Sequence, residues 1–177
     1  FGDFDPDRAS DSEAIGAGSW PEESAETTHF SVMDGKGNVV ALTTTLNSGY
    51  GSKIVAAGSG ILLNNEMNDF SIKKNVPNQF GLIGRVANAI EPGKRMLSSM
   101  SPTIVTKDGV TFLVTGSPGG STIITTALQV IVNVIDHEMT LEDAVSLPRF
   151  HHQWKPDSIS YGKHGISPDS LKILQQM

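Results

Sequence analysis

The sequence has no cysteine and no long apolar run, and each absence excludes a class of function. Without cysteine, the chain has no disulfides, no thiolate metal ligands and no thiol nucleophile. No stretch approaches the roughly 18 consecutive apolar residues of a membrane-spanning helix. The sequence also has no stripe of basic residues, the feature that would indicate binding to nucleic acid. The composition that remains, with 38% hydrophobic and 18% charged residues, is typical of a globular protein.

Acidic residues are concentrated at the start of the chain. Residues 1–26 hold eight acidic residues and one arginine, so that the net charge of −6 comes from this segment and the remainder is close to neutral. An acidic segment rich in Gly, Pro and Ser, without apolar periodicity, is typical of a solvated loop or linker. The sequence therefore predicts a linker over residues 1–26 and a globular domain over residues 27–177.

A β-hairpin is predicted directly after the linker. Residues 29–34 alternate as a strand does, residues 35–38 form a Gly-rich turn, and residues 39–45 form a second strand. If the first strand starts at Thr27 and the turn centres near residues 36–37, Thr45 falls opposite Thr27.

In the second half of the domain, the sequence predicts a hairpin followed by helices. Strands over residues 103–106 and 110–115 flank an Asp-Gly turn. Apolar residues near 3.6 spacing then predict a helix from Ser121, as N-cap, to about residue 138. Further helices are predicted to start at Thr140 and Ser167. This order predicts an α+β domain in which helices pack on antiparallel sheet.

Thr27 is a candidate nucleophile. A threonine hydroxyl attacks poorly unless a base takes its proton. If the chain were cut between Glu26 and Thr27, the freed α-amine would be that base. By residue type alone, a threonine at the start of a strand is ordinary, so this hypothesis depends on the rest of the chain.

Gly119 and Gly120 lie between a predicted strand and a predicted helix. Exposed N–H groups at such a turn can hold a phosphate or the oxyanion of an acyl-transfer intermediate. The lysine of the Walker pattern is missing, which disfavours phosphate. A simple tight turn is the plainer interpretation.

Two polar pairs lie in the long loop between the hairpins. Glu66 and Asp69 suit a cationic amine or Ca²⁺, although the EF-hand pattern is absent. The hydroxyls of Ser98 and Ser99 suit a carboxylate. Each pair is also compatible with a solvated loop.

Two interpretations fit the segment with His151, His152 and Trp154: a metal site and structural packing. Adjacent residues of a strand point in opposite directions, and no third ligand is near in the sequence. Structural packing is therefore the favoured interpretation.

Several ordered blocks together resemble the small subunit of γ-glutamyltransferases (γ-glutamyltranspeptidases). The blocks are residues 27–32, 45–47, 60–70, 97–104, 115–121 and 148–154. The resemblance implies the N-terminal-nucleophile hydrolase fold, a four-layer αββα sandwich. It also implies that residues 1–26 are the end of a large subunit and that residues 27–177 are most of the small subunit of a self-cleaving precursor.

The resemblance implies a role for each residue of the reaction centre. Thr27 matches the nucleophile, which first attacks the Glu26 carbonyl and later forms a γ-glutamyl ester. Thr45 matches the threonine that holds the nucleophile. Gly119 and Gly120 match the oxyanion hole.

The resemblance also implies a binding site for a zwitterionic γ-glutamyl donor such as glutathione. Asn47, Glu66 and Asp69 match residues around the α-amino group of the donor. Ser98 and Ser99 match residues that bind its α-carboxylate. The acceptor would be water, an amino acid or a peptide, and no metal or organic cofactor would be needed. The expected partner is the large subunit, and the expected location is the periplasm or the outside of the cell.

The sequence departs from the family pattern at a few loop positions. Met96 stands in place of a usual Pro, Arg85-Val86 in place of Gly-Asp, and Thr122 in place of a common Arg. Two alternatives remain open: an amidase resembling cephalosporin acylases, and an uncleaved paralogue without catalytic activity. A glutaryl donor has no α-amine, so the Glu66 and Asp69 pair argues against the first.

Overall fold

The computed structural model describes residues 27–176. The predicted linker over residues 1–26, including Glu26, lies outside the described residues, as does Met177. The elements of the described part follow in chain order: β1 Thr28–Met33, β2 Val39–Thr44, β3 Thr103–Lys107, β4 Val110–Thr115, α1 Ile123–Ile135, α2 Leu141–Ser146, β5 Phe150–His151, β6 Ser160–Tyr161 and α3 Pro168–Leu174. Short 3₁₀ helices span Glu66–Asp69, Val86–Asn88 and Gly120–Thr122.

The strands pair within three antiparallel hairpins, β1-β2, β3-β4 and β5-β6. The first two hairpins contact each other through β2 and β4. Helix α1 packs against α2 and β5. The buried apolar side chains lie on β4, α1 and α2 and in the loop before the second hairpin: Phe70, Leu113, Ile123, Ala127, Val130 and Ala144. This arrangement confirms the predicted α+β class.

The first hairpin has the predicted register. Thr28 pairs with Thr44, so the residues that precede and follow this pair, Thr27 and Thr45, lie at the open end. Asp34 fixes the turn, because its Oδ1 accepts hydrogen bonds from the backbone N–H groups of Lys36, at 2.8 Å, and Asn38, at 2.9 Å. Hydrogen bonds from the side chain and backbone of Asn38 lower the pKa of Asp34, so the turn is held by a carboxylate.

Helix α1 starts one residue later than predicted, because its N-cap is Thr122 rather than Ser121. Gly119 and Gly120 have positive φ angles of 131° and 56°, which turn the chain sharply after β4. The first turn is therefore a 3₁₀ helix that already contains Ser121. The helix ends at Ile135 rather than near 138, because Glu138 adopts a left-handed conformation with a φ of 53°.

Helices α2 and α3 begin as predicted. The Thr140 hydroxyl accepts a hydrogen bond from the N–H of Asp143 at 3.2 Å and donates one to its carboxylate at 2.7 Å. Ser167 caps α3 by accepting from the N–H of Ser170 at 3.1 Å. Both caps satisfy backbone donors that the helix itself leaves unpaired. Within residues 27–176, no helix has both the length and the apolar character needed to cross a membrane.

The long loop between the hairpins folds back on itself without a regular sheet. Backbone hydrogen bonds join Asn65 to Leu46 and Ser52 to Leu63. Gly51 lies at the closest approach, where its φ is 57° and a Cβ would collide with the Leu63 carbonyl oxygen. The loop therefore requires glycine at this position for two reasons, conformation and space.

We expect Gly51→Ala to destabilise the protein more than Gly58→Ala does. Both glycines have positive φ, but a Cβ at Gly58 would have no atom within 4 Å. The left-handed conformation alone costs about 1–2 kcal/mol for alanine. The collision with the backbone of Leu63 adds to that cost only at Gly51. Unfolding in urea, followed by circular dichroism, measures the difference, and equal losses of stability in the two variants would contradict the close approach.

Candidate active site

The hydroxyls of Thr27 and Thr45 meet at the open end of the first hairpin. Thr27 is only 8% exposed. Its Oγ1 donates a hydrogen bond to the Oγ1 of Thr45 at 3.2 Å, which confirms the predicted juxtaposition. The same Thr45 oxygen accepts from the backbone N–H of Asn47 at 2.9 Å. Both acceptor positions of the Thr45 hydroxyl are thus used, and no group within residues 27–176 donates a hydrogen bond to the Oγ1 of Thr27.

Asn47 joins this hydroxyl pair to the acidic loop. It is 5% exposed and has a φ of 75°, a conformation that asparagine tolerates better than most residues. Its side-chain amide donates to the carbonyl of Asn65 at 3.1 Å. The Asn65 side chain in turn accepts from the N–H of Ser48 at 3.0 Å. These bonds hold the segment that ends β2 against the residue that precedes Glu66.

Glu66 and Asp69 form a partly buried acid pair on one 3₁₀ turn. Burial first, and the negative charge of Asp69 second, raise the pKa of Glu66 to about 7. Burial also raises the pKa of Asp69. One carboxylate oxygen of Glu66, Oε1, is buried and has no hydrogen-bond partner within the described residues. A pair of this kind favours a cationic ligand, because a nearby positive charge would offset both causes of the raised pKa.

Asn88 is a residue that the sequence did not single out. Its side-chain amide donates to the Asp69 carbonyl at 2.7 Å, and its side-chain oxygen accepts from the N–H of Leu97 at 2.9 Å. A single side chain therefore ties the acid pair to the segment that carries Ser98. Asparagine is common in loops, and nothing in the sequence distinguishes one that bridges two segments from one that is solvated.

Ser98, Ser99 and Asp69 line one cavity of about 540 Å³. The Ser98 side chain accepts a hydrogen bond from the N–H of Met100 at 3.2 Å, and within residues 27–176 its own proton has no protein acceptor, so it can bond to a ligand. The structure thus brings the predicted carboxylate-binding serines and one of the predicted ammonium-binding acids to a common space. A volume of this size is within the usual range for small-molecule sites.

Gly119 and Gly120 form the tight turn that the sequence predicted. A Cβ at Gly119 would lie 2.5 Å from Thr122 Oγ1, and one at Gly120 would lie 3.3 Å from the Phe80 ring. Gly116, at the start of the same loop, packs against the ring of His29, two residues after Thr27. In the described part of the chain, the N–H groups of Gly119 and Gly120 donate no hydrogen bond to protein. These groups are therefore candidate donors to an oxyanion.

The histidines near the end of the chain have structural contacts. His151 is 5% exposed, and its ring nitrogens bond to Thr125 Oγ1 at 2.8 Å and to Gln153 Oε1 at 2.9 Å. His152 lies 3.0 Å from the carboxylate of Asp157. No three His, Asp or Glu side chains in residues 27–176 are grouped so that they could hold a metal ion. The packing interpretation of His151 is therefore supported by its contacts.

The fold matches that of solved γ-glutamyltranspeptidases. A threonine-to-alanine mutant of the Helicobacter pylori enzyme superposes with a TM-score of 0.81 at 58% sequence identity, covering 85% of this chain and 81% of that one. The chain thus has the N-terminal-nucleophile hydrolase fold that the sequence blocks implied, of which the described hairpins and helices form a part.

Curated relatives extend the match along the chain. The glutathione hydrolase proenzyme of Escherichia coli is 61% identical over 155 residues, which are 88% of this chain and 27% of that protein. The proenzyme of a Pseudomonas species is 53% identical over 172 residues, 97% of this chain and 30% of that protein. The chain therefore spans less than a third of the length of these relatives. The gamma-glutamyltranspeptidase family model matches residues 3–177, and the chain belongs to the gamma-glutamyltranspeptidase family.

Proposed function

We propose that this chain supplies the nucleophile of an enzyme that hydrolyses or transfers the γ-glutamyl group of glutathione and related amides. The hydrogen bond between the buried Thr27 and Thr45 is the observation that best supports this proposal. It joins the hydroxyl of Thr27, just before β1, to the Thr45 oxygen, just after β2. The loop that follows Thr45 carries the acidic residues proposed to bind an ammonium group. The names of the two curated proenzymes are consistent with the same activity.

The first step would be cleavage of the chain at Glu26–Thr27. The Thr27 hydroxyl attacks the Glu26 carbonyl carbon, the Glu26–Thr27 amide becomes an ester, and water releases Glu26 as a carboxylate. Thr27 is left with a free α-amine beside its own hydroxyl. The residues before the cut would end the large subunit, and residues 27–177 would belong to the small subunit of the resulting heterodimer.

Catalysis would then use the same hydroxyl on the donor. The α-amine takes the proton of Thr27 as Oγ1 bonds to the γ-carbonyl carbon, and the oxyanion is stabilised by the N–H groups of Gly119 and Gly120. The tetrahedral intermediate collapses to a γ-glutamyl ester, and the proton leaves with the departing amine. Water or the amine of an amino acid or peptide then attacks the ester and restores Thr27. The proposed reaction needs no metal and no organic cofactor.

Complementary charges would hold the donor in place. The α-ammonium of a γ-glutamyl group lies among Asn47, Glu66 and Asp69, and its α-carboxylate meets the hydroxyls of Ser98 and Ser99. The bridge through Asn88 supports this division, because it fixes the acids and the serines relative to one another. Leaving either charge unpaired in a partly buried site would cost several kcal/mol. We place the mature enzyme in the periplasm or outside the cell.

Thr27→Ala should abolish both chain cleavage and turnover. Without Oγ1 there is no nucleophile for the Glu26 carbonyl or for the donor, so the complete precursor should stay as one chain. Thr27→Ser keeps a hydroxyl and should still cleave. Intact mass spectrometry before and after incubation measures cleavage, and release of aniline from a γ-glutamyl anilide measures turnover.

Thr28→Ala is the matched control for this experiment. Thr28 is the next residue, but its side chain is exposed, so the variant should cleave at the same bond as the parent. Normal cleavage in Thr27→Ala would overturn the assignment of the nucleophile. A parent that cleaves but prefers a glutaryl anilide would instead indicate the acylase-like alternative, and a parent that never cleaves would indicate the non-catalytic one.

Donor binding should weaken as the pH falls through about 7, the pKa to which burial and Asp69 raise Glu66. A raised carboxyl pKa means that Glu66 is protonated below this value, and it then no longer attracts the α-ammonium of the donor. The loss is at most about tenfold for each pH unit below the pKa. Competitive inhibition by L-glutamate, whose ammonium keeps its charge across neutrality, measures the effect apart from the chemical step.

Glu66→Gln should remove this pH dependence and leave weaker, pH-independent inhibition near neutrality. Glu91→Gln is the control, because Glu91 is an exposed acid that pairs with Lys94 at 3.1 Å. It should keep the parental pH profile. If Glu66→Gln keeps that profile as well, Glu66 does not bind the donor ammonium.

A further inference from the structure

Among the described residues, Thr122 is the one that holds the carbonyl of the Gly119–Gly120 peptide by hydrogen bonds. The carbonyl of Gly119 accepts two hydrogen bonds, one from the backbone N–H of Thr122 at 3.0 Å and one from its Oγ1 at 2.8 Å. Thr122 is only 4% exposed. Its backbone is already helical, with φ of −75° and ψ of −12°, and its hydroxyl does not cap α1. The hydroxyl is directed back at the glycine turn instead.

A back-bond from threonine to a preceding carbonyl is common in helices. The acceptor makes this one unusual, because it belongs to the peptide unit that carries the N–H of Gly120. In a trans peptide the C=O and the N–H point in opposite directions. Whatever fixes the direction of the Gly119 carbonyl therefore also fixes the direction of the Gly120 N–H.

A peptide between two glycines needs such a restraint more than any other. Neither residue has a Cβ, so rotation of the peptide plane meets little steric resistance. A rotated plane would direct the Gly119 carbonyl oxygen, with its partial negative charge, to where the N–H had pointed. An oxyanion at that position would then be repelled rather than stabilised.

We propose that Thr122 is a positioning residue for the oxyanion hole, whose hydroxyl holds the Gly120 N–H toward the reacting carbonyl. This inference rests on the proposed function. In this role the hydroxyl acts on the reaction through the peptide plane, by its bond to the Gly119 carbonyl.

The test compares Thr122→Val with Thr122→Ser in the complete precursor. Valine has nearly the same shape as threonine but cannot donate, whereas serine keeps the hydroxyl. For a γ-glutamyl anilide, Thr122→Val should lower kcat by about tenfold, less than the loss of an oxyanion donor itself, and leave KM within about twofold. Chain cleavage, followed by mass spectrometry, should slow in parallel, because the Glu26 carbonyl needs the same donors. Thr122→Ser should stay close to the parent in both measurements.

Thr126→Val is the matched control. Thr126 lies one turn further along α1, is 8% exposed, and its Oγ1 has no partner within the described residues. The variant removes an equally buried hydroxyl that does not reach the turn, so kcat should stay parental. Parental kcat in Thr122→Val, or equal losses in Thr122→Val and Thr126→Val, would overturn the positioning role. An equal loss of kcat in Thr122→Val and Thr122→Ser would also overturn the positioning role. A cleaved parent without γ-glutamyl turnover would instead overturn the proposed function, and the positioning role with it.

Discussion

The antiparallel register of β1 and β2 is the constraint on which the candidate site depends. It places Thr27 and Thr45 at the same end of the hairpin, where their hydroxyls bond at 3.2 Å. A shift of one residue would move every side chain of β1 to the other face of the sheet. Thr27 would then lose both its burial and its partner. Because Asp34 fixes the turn at the opposite end of the hairpin, it helps to set the register that places Thr27, the proposed nucleophile, beside Thr45.

Hydrogen bonds from asparagine side chains join distant segments of the long loop, as backbone hydrogen bonds join the strands of the hairpins. Asn47, Asn65 and Asn88 each bond to backbone groups of a segment that is distant in sequence. An amide side chain can both donate and accept, so it can replace a backbone partner where no ladder exists. The acid pair and the serine pair are consequently held by side-chain bonds rather than by a sheet.

Much of this arrangement could be predicted from local sequence, because local rules govern it. Alternation and turn residues located the first two hairpins, and Thr140 and Ser167 marked the starts of α2 and α3. The start of α1 could not be located in this way, since two consecutive left-handed glycines tightened its first turn. Strands β5 and β6 are two residues each, too short for any periodicity.

The bridge made by Asn88 depends on how two loop segments approach each other, and no local pattern encodes that. The proposed roles of the site residues came from ordered blocks of sequence, whereas the structure supplied the contacts between several of them.

The acid pair has a consequence for how ligand binding would be measured. Because the pKa of Glu66 is raised to about 7, the unliganded acid pair can hold a proton near neutral pH. An ammonium beside it would stabilise the ionised form and expel that proton into solution. The apparent heat of binding in a calorimeter would then include the heat with which the buffer takes up the proton. Titrations in buffers of different ionisation enthalpy would therefore count the protons released per site.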